Sequence, residues 1–70
     1  MAGMSRALKR AARVVGGQAA LARLVGVQRS TITKWLRRKV PAERVLDIER
    51  HTQVSRHDLR PDIYPRAAAA

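Results

Sequence analysis

Fifteen Lys or Arg against five Asp or Glu give this 70-residue chain a formal charge of +10, enough for one small domain drawn to polyanions. There is no cysteine, which removes disulfides, thiolate zinc sites and thiol nucleophiles and suits a reducing compartment. No apolar run approaches the ~20 residues of a membrane span and no apolar signal core precedes a cleavage site, so the chain reads as cytosolic.

Residues 1–3 read as a frayed start. Ser5 suits the N-cap of a first helix to about Val15, with Leu8, Ala11, Ala12 and Val15 on one face and Arg6, Lys9, Arg10 and Arg13 on the other. Gly16-Gly17 stops it. A second helix is expected from about Gln18 to Val25 or Gly26, and a third from near Arg29 to about Arg38. Pro41 suits the first position of a fourth helix, Glu43 suits its positive end, and Val45, Ile48 and Thr52 mark its inner face. Ser55 and Asp58 have capping-box spacing for a short last helix that ends before Pro61. Asp62 to Pro65 is expected to be extended, and residues 66–70 to be a disordered tail or a cloning remnant. The domain is therefore placed at residues 4–65.

The stretch QAALARLVGVQRSTITKW, Gln18 to Trp35, carries the most information. Leu21, Ala22 and Val25 form one apolar stripe, and Ile32 and Trp35 form the next at i, i+3 spacing. Ala22 is small where one helix lies closely across another. Gly26 can take the positive φ of a sharp helix end, and a bulky residue there is expected to push the two helices apart. This is helix-turn-helix geometry, with a second helix able to enter the DNA major groove. Gln28, Arg29, Ser30, Thr31, Thr33 and Lys34 lie outside its stripe, and each can hydrogen-bond a base edge or a phosphate.

Charge is placed to match. Residues 1–40 hold ten Lys or Arg and no acid, whereas residues 41–70 hold five bases and five acids. Twelve of the 15 cations are Arg, which can bridge phosphate or guanine bidentately. Trp35 shares a stripe with Ile32 and reads as core. With Tyr64 the only other aromatic, a stacking platform for single strands is poorly supported. His51 and His57, six apart, are off helical metal-ligand spacing. Asp47, Glu49 and Asp58, set among Arg44, Arg50, Arg56 and Arg60, read as surface ion pairs of small value. No nucleophile, base and orienting group converge, so the chain reads as no enzyme and calls for no cofactor, metal or small-molecule substrate.

Gln18, Leu21, Ala22, Gly26, Val27, Ile32 and Trp35 together resemble the helix-turn-helix of the phage repressor (Cro/cI-like) superfamily. GGQAALARLVGVQRSTITKWL, then VPAERVLDIERHT and SRHDLRPDIYP, resemble the YdaS-like antitoxin family of Cro-type regulators. The likeness runs from about Leu8 to Pro65. It departs at Gln28, where that family usually has a Ser that caps the recognition helix, and Gln is the poorer cap. The resemblance implies an all-α, five-helix, lambda-repressor-like domain whose helices 2 and 3 form the helix-turn-helix. Carried over residue by residue, it makes Gln28, Arg29, Ser30, Thr33 and Lys34 base contacts, with Arg29 suited to guanine and Gln28 to adenine. Gln18, Thr31, Arg37, Arg38 and Lys39 become phosphate contacts. The plainer alternatives are a backbone anchor for Arg29, a local helix-end bond for Ser30 and a solvated run for Arg37-Arg38-Lys39.

The leading function is a Cro-type transcriptional repressor of prophage origin that binds double-stranded DNA as a homodimer on a near-palindromic operator. The main alternative is an antitoxin that neutralises a partner toxin by direct contact. A membrane-active cationic peptide is disfavoured by the capped, multi-helix remainder. Pairing is expected through the charge-balanced part after Pro41, where Val54, Leu59, Ile63 and Tyr64 supply apolar atoms.

Overall fold

A chain this short can bury only a thin core, and this one builds it around a helix whose inner face is mostly alanine. The computed structural model describes residues 2–65, with residues 2–4 described by backbone alone. Its elements are α1 (Ala2–Val15), α2 (Gln18–Val25), α3 (Arg29–Arg37), α4 (Ala42–Thr52) and α5 (Arg56–Leu59). Ala7, Leu8, Ala11 and Ala12 of α1 are buried, and α1 packs on each of the other four helices. Three small side chains let those neighbours approach it closely, while Leu8 supplies bulk.

The rest of the core follows the apolar stripes. Leu21, Ala22 and Val25 come from α2, Ile32 and Trp35 from α3, and Val45 and Ile48 from α4. Burying each large side chain contributes about 1.5–3 kcal/mol relative to leaving it in water. Thr52 is buried too, and its hydroxyl is satisfied: it donates to the Ile48 carbonyl at 2.7 Å and accepts from the Val54 amide at 3.1 Å. Val40, between α3 and α4, is buried as well, although no periodicity marks it.

The turn between α2 and α3 has a clear cause. Gly26 is left-handed at φ 77°, ψ 33°, and the Gly26 and Val27 amides both donate to the Ala22 carbonyl, the Val27 bond at 2.9 Å. A Cβ on Gly26 would meet nothing within 4 Å, so a first side-chain carbon there does not wedge the helices apart. For an added Cβ, the demand at Gly26 is conformational.

Four further expectations are corrected. Helix α1 begins at Ala2, so residues 2 and 3 are helical and Ser5 is not an N-cap; its hydroxyl donates to the Leu36 carbonyl at 2.9 Å. Pro41 stands just before α4, because its ψ of 144° is extended rather than helical. The segment after α5 is a turn, with the Ile63 and Tyr64 amides donating to the Arg60 carbonyl at 3.2 and 2.9 Å. Val54 and Leu59 are buried in the core and Tyr64 packs against it, so of the four residues expected to pair two chains only Ile63 stays exposed. Met1, expected to be part of a frayed start, and residues 66–70, expected to be a disordered tail or a cloning remnant, lie outside the described residues.

Candidate nucleic-acid interface

Helix α3 packs on α1 and α2 but not on α4 or α5 among the described residues, so its remaining sides are open. Ile32 and Trp35 face inward and fix its rotation. That turns Ser30, Thr33, Lys34 and Arg37, spaced i, i+3, i+4 and i+7, to the opposite side. With Arg38 they line a concave surface of about 440 Å³. All five are exposed, and each is a hydrogen-bond donor; none is acidic.

Gln18, half-buried at the start of α2, belongs to the same surface. Its Oε1 accepts from Thr33 Oγ1 at 3.4 Å, and that hydroxyl lies equally far from the Arg29 carbonyl. Gln28 and Arg29 are exposed at the N-terminal end of α3, outside the concavity. Gln28 holds the N-cap position without a side-chain bond, and its carbonyl accepts from the Thr31 amide at 2.9 Å. Thr31 is half-buried and also outside the concavity. Lys39 is turned elsewhere: its Nζ lies 3.7 Å from Asp62 Oδ2. The structure thus gathers Gln18, Ser30, Thr33, Lys34, Arg37 and Arg38, and leaves Gln28, Arg29, Thr31 and Lys39 at its margins.

Three side chains from outside the motif hold its ends. Ser5 donates to the Leu36 carbonyl near the end of α3, and Arg44 Nη1 donates to the Val25 carbonyl at the end of α2 at 3.1 Å. Arg60 Nη1 donates to the Val40 carbonyl at 2.6 Å. Helix C-termini leave carbonyls without intrahelical partners, and the first two bonds satisfy such groups. Arg44 and Arg60 were expected to form weak surface ion pairs with Asp47, Glu49 or Asp58, which is corrected here. Arg60 instead forks Asp62 through Nε at 2.9 Å and Nη2 at 2.8 Å, with its own side chain only 13% exposed. That hydrogen bond holds the Asp62 carboxyl far below the usual carboxylate range, helped by the charges of Arg60 and Lys39, and raises the Arg60 guanidinium. Sequence separations of 31, 19 and 20 put these three contacts beyond any local pattern.

Asp47 and Glu49 pair with expected cations, whereas Asp58 pairs with Arg10 of α1, outside the expected set. Arg10 meets Asp58 at 3.0 Å, Arg50 meets Asp47 at 3.7 Å, and Arg56 meets Glu49 at 3.1 Å. Glu49 also accepts from the Arg56 amide at 2.9 Å, and Ser55 Oγ accepts from the His57 amide at 3.0 Å, so two carboxylate or hydroxyl groups cap α5. His57 Nδ1 donates to the Tyr64 carbonyl at 2.9 Å. Among the described residues no helix is long and apolar enough to cross a membrane.

A glycine-turned helix pair with an outward second helix, set in five helices, defines an all-α helix-turn-helix protein. The sequence profile of the family described as Bacterial toxin YdaS matches residues 8–68, and the chain belongs to that family. Its description says toxin, where the resemblance drawn from the sequence said antitoxin. The chain is 49% identical over 59 residues to an Escherichia coli (strain K12) protein named "Putative transcriptional regulator YdaS". That match covers 79% of this chain but 60% of the relative, so the chain spans less than two thirds of that protein's length. Its structure is similar to that of the Cro protein from the "putative prophage element Xfaso 1" of Xylella fastidiosa strain Ann-1. The TM-score is 0.79 at 45% identity, over 81% of this chain and 92% of the other.

Proposed function

We infer that this protein is a sequence-specific DNA-binding transcription regulator, a Cro-type repressor acting as a dimer in the cytoplasm. The observation that carries this is the open face of α3. Ser30, Thr33, Lys34, Arg37 and Arg38 line one concave surface at the spacing of a helix face, with Gln18 joined to it through Thr33. Donors on an exposed helix suit base edges in the major groove, and an acid-free basic surface suits the phosphates beside them. The names of the two relatives, a transcriptional regulator and a Cro protein, agree with this reading.

In this reading Ser30, Thr33 and Lys34 read bases from the middle of α3, while Gln28 and Arg29 read them from its N-terminal end. Gln18, Thr31, Arg37, Arg38 and Lys39 hold phosphates, and residues 4–65 are the binding domain. No catalytic role is assigned. Selection of bound duplexes from a random pool at physiological salt tests the proposal. A preferred near-palindromic site is expected, and an unselected pool would overturn it.

The family's description favours a second reading, in which the protein itself arrests growth. Induced expression in a bacterial host separates the two. Growth arrest that persists in a variant unable to bind DNA would favour the toxin.

A further inference from the structure

Two rows of residues run along the outer side of α1, and one contact anchors each of them. Ser5, Lys9 and Arg13 are spaced i, i+4, i+8 and stack on one side of the helix. Ser5 bonds the Leu36 carbonyl, so the start of this row is turned toward the C-terminal end of α3, and the row winds about 40° per step toward solvent through Lys9 to Arg13. Arg6 and Arg10 form the next row, which the 3.0 Å contact of Arg10 with Asp58 turns toward α5. Beyond Arg13 the chain passes through Gly16 and Gly17 to Gln18, which touches Thr33. The stretch from Ser5 to Gln18 is therefore tied to the recognition helix at both ends, and Lys9 and Arg13 lie between the ties.

Both side chains are exposed, and neither has an ion pair or side-chain hydrogen bond among the described residues. No acid lies anywhere in residues 1–40 to neutralise them. Like charges at i, i+4 repel, so an uncompensated pair is a small cost to the helix that a polyanion relieves. Their positions are about 6 Å apart along the helix axis, a spacing that suits neighbouring phosphates on one strand.

From these contacts, we propose that Lys9 and Arg13 form a phosphate-binding edge on α1. This edge grips the duplex backbone beside the strand that Gln18 reaches, outside the helix-turn-helix itself. It rests on the DNA-binding reading above. Because it touches only phosphate, it adds affinity without adding base preference.

The test is a salt titration of binding to a random-sequence duplex between about 50 and 200 mM salt. Lys9→Gln and Arg13→Gln are each expected to lower the slope of log affinity against log salt by about 0.9 per bound protomer. Lys9→Arg and Arg13→Lys should restore it. Arg50→Gln, an equal charge loss on α4 where Arg50 pairs with Asp47, should leave the slope unchanged. Melting temperatures should stay level, since neither side chain has a partner to lose. A steep wild-type slope that is unaltered in Lys9→Gln and Arg13→Gln overturns the α1 edge and leaves the DNA-binding reading standing. So does an equal loss in Arg50→Gln. A flat wild-type slope overturns both.

Discussion

Thr33 and Gln18, one on each helix of the motif, meet through a 3.4 Å contact between the Thr33 hydroxyl and the Gln18 amide oxygen. A residue suited to a phosphate is thereby coupled to one suited to a base. The bond is long and exposed, so its value to the free protein is small. On DNA, where both groups are held, the coupling should become measurable. A double-mutant cycle with Gln18→Ala and Thr33→Val is expected to give an interaction energy of about 0.5 kcal/mol or more in operator affinity. Strict additivity would show that the two groups act independently.

Arg29 and the Arg37-Arg38 pair stand at opposite ends of α3 and should fail differently. Arg29→Ala is expected to weaken operator binding by about 1–3 kcal/mol and relax preference at one position of each half-site. Arg37→Gln with Arg38→Gln should reduce affinity for operator and random duplex alike and flatten the salt dependence. Repeating the selection with each variant checks this. If Arg29→Ala weakens both duplexes equally, Arg29 is a phosphate anchor.

Three glycines, Gly16, Gly17 and Gly26, have positive φ, and the last two demand it to different degrees. Gly26 sits at φ 77°, ψ 33°, which Asn tolerates and Ala adopts at a cost of about 1 kcal/mol. Gly17 sits at φ 129°, ψ 172°, a region essentially restricted to glycine, so substitution there should cost about 1–3 kcal/mol. With open space around a Cβ at either site, the ranking reflects backbone strain alone. Thermal melts of Gly26→Asn, Gly26→Ala and Gly17→Ala should therefore fall in that order. Gly26→Ala should still bind DNA, whereas loss of binding in a folded Gly26→Ala would restore the steric account.

The contrast between Gly26 and Ser5 shows what the sequence makes legible. A glycine between two apolar stripes has a local meaning, and so do Leu21, Ile32, Trp35, Val45 and Ile48, whose spacing reports their burial directly. Ser5 looks like a cap because caps are local, yet its partner Leu36 lies 31 residues away. Val54 and Leu59 belong to segments too short to show a period, so their burial could not be separated from an exposed pairing surface. The α3 face was legible because its apolar stripe fixes its rotation. The pairing of Lys39 with Asp62 was not, since it depends on a turn at Arg60 that no local pattern demands.

That turn gives the protein a pH-dependent element. The Asp62 carboxyl is held below its ordinary range by Arg60, so the pair contributes stability that is present above the ordinary carboxylate pKa of about 3.9 and is lost as pH falls. Asp62→Asn should melt below the wild type at neutral pH. The gap should begin to narrow once the pH drops under about 4, where Asp62 of the unfolded wild type takes up its proton while the folded carboxyl, held lower by Arg60, still keeps its charge. A gap that stays constant into acid would mean that the charge of Asp62 does not matter to the turn.

Assembly is the remaining question, and the burial of Val54 and Leu59 changes how it is tested. One recognition helix reads only a few base pairs, and two of them about 34 Å apart would read a near-palindromic site with the selectivity that repression needs. The basic surface cannot be the pairing surface, because like charges would oppose each other across it. On the charge-balanced part of the chain Leu46 is 42% exposed and Ile63 is 40% exposed. Removing everything after Thr52 would take Val54 and Leu59 out of the core and so measure folding. Leu46→Glu and Ile63→Glu instead leave the core intact. Each should preserve the melting temperature and the affinity for a single half-site, while reducing cooperative binding to the full operator. Pairing through this surface is wrong if both variants bind the full operator as cooperatively as the wild type, and two-fold pairing itself is wrong if the selected site is one asymmetric half.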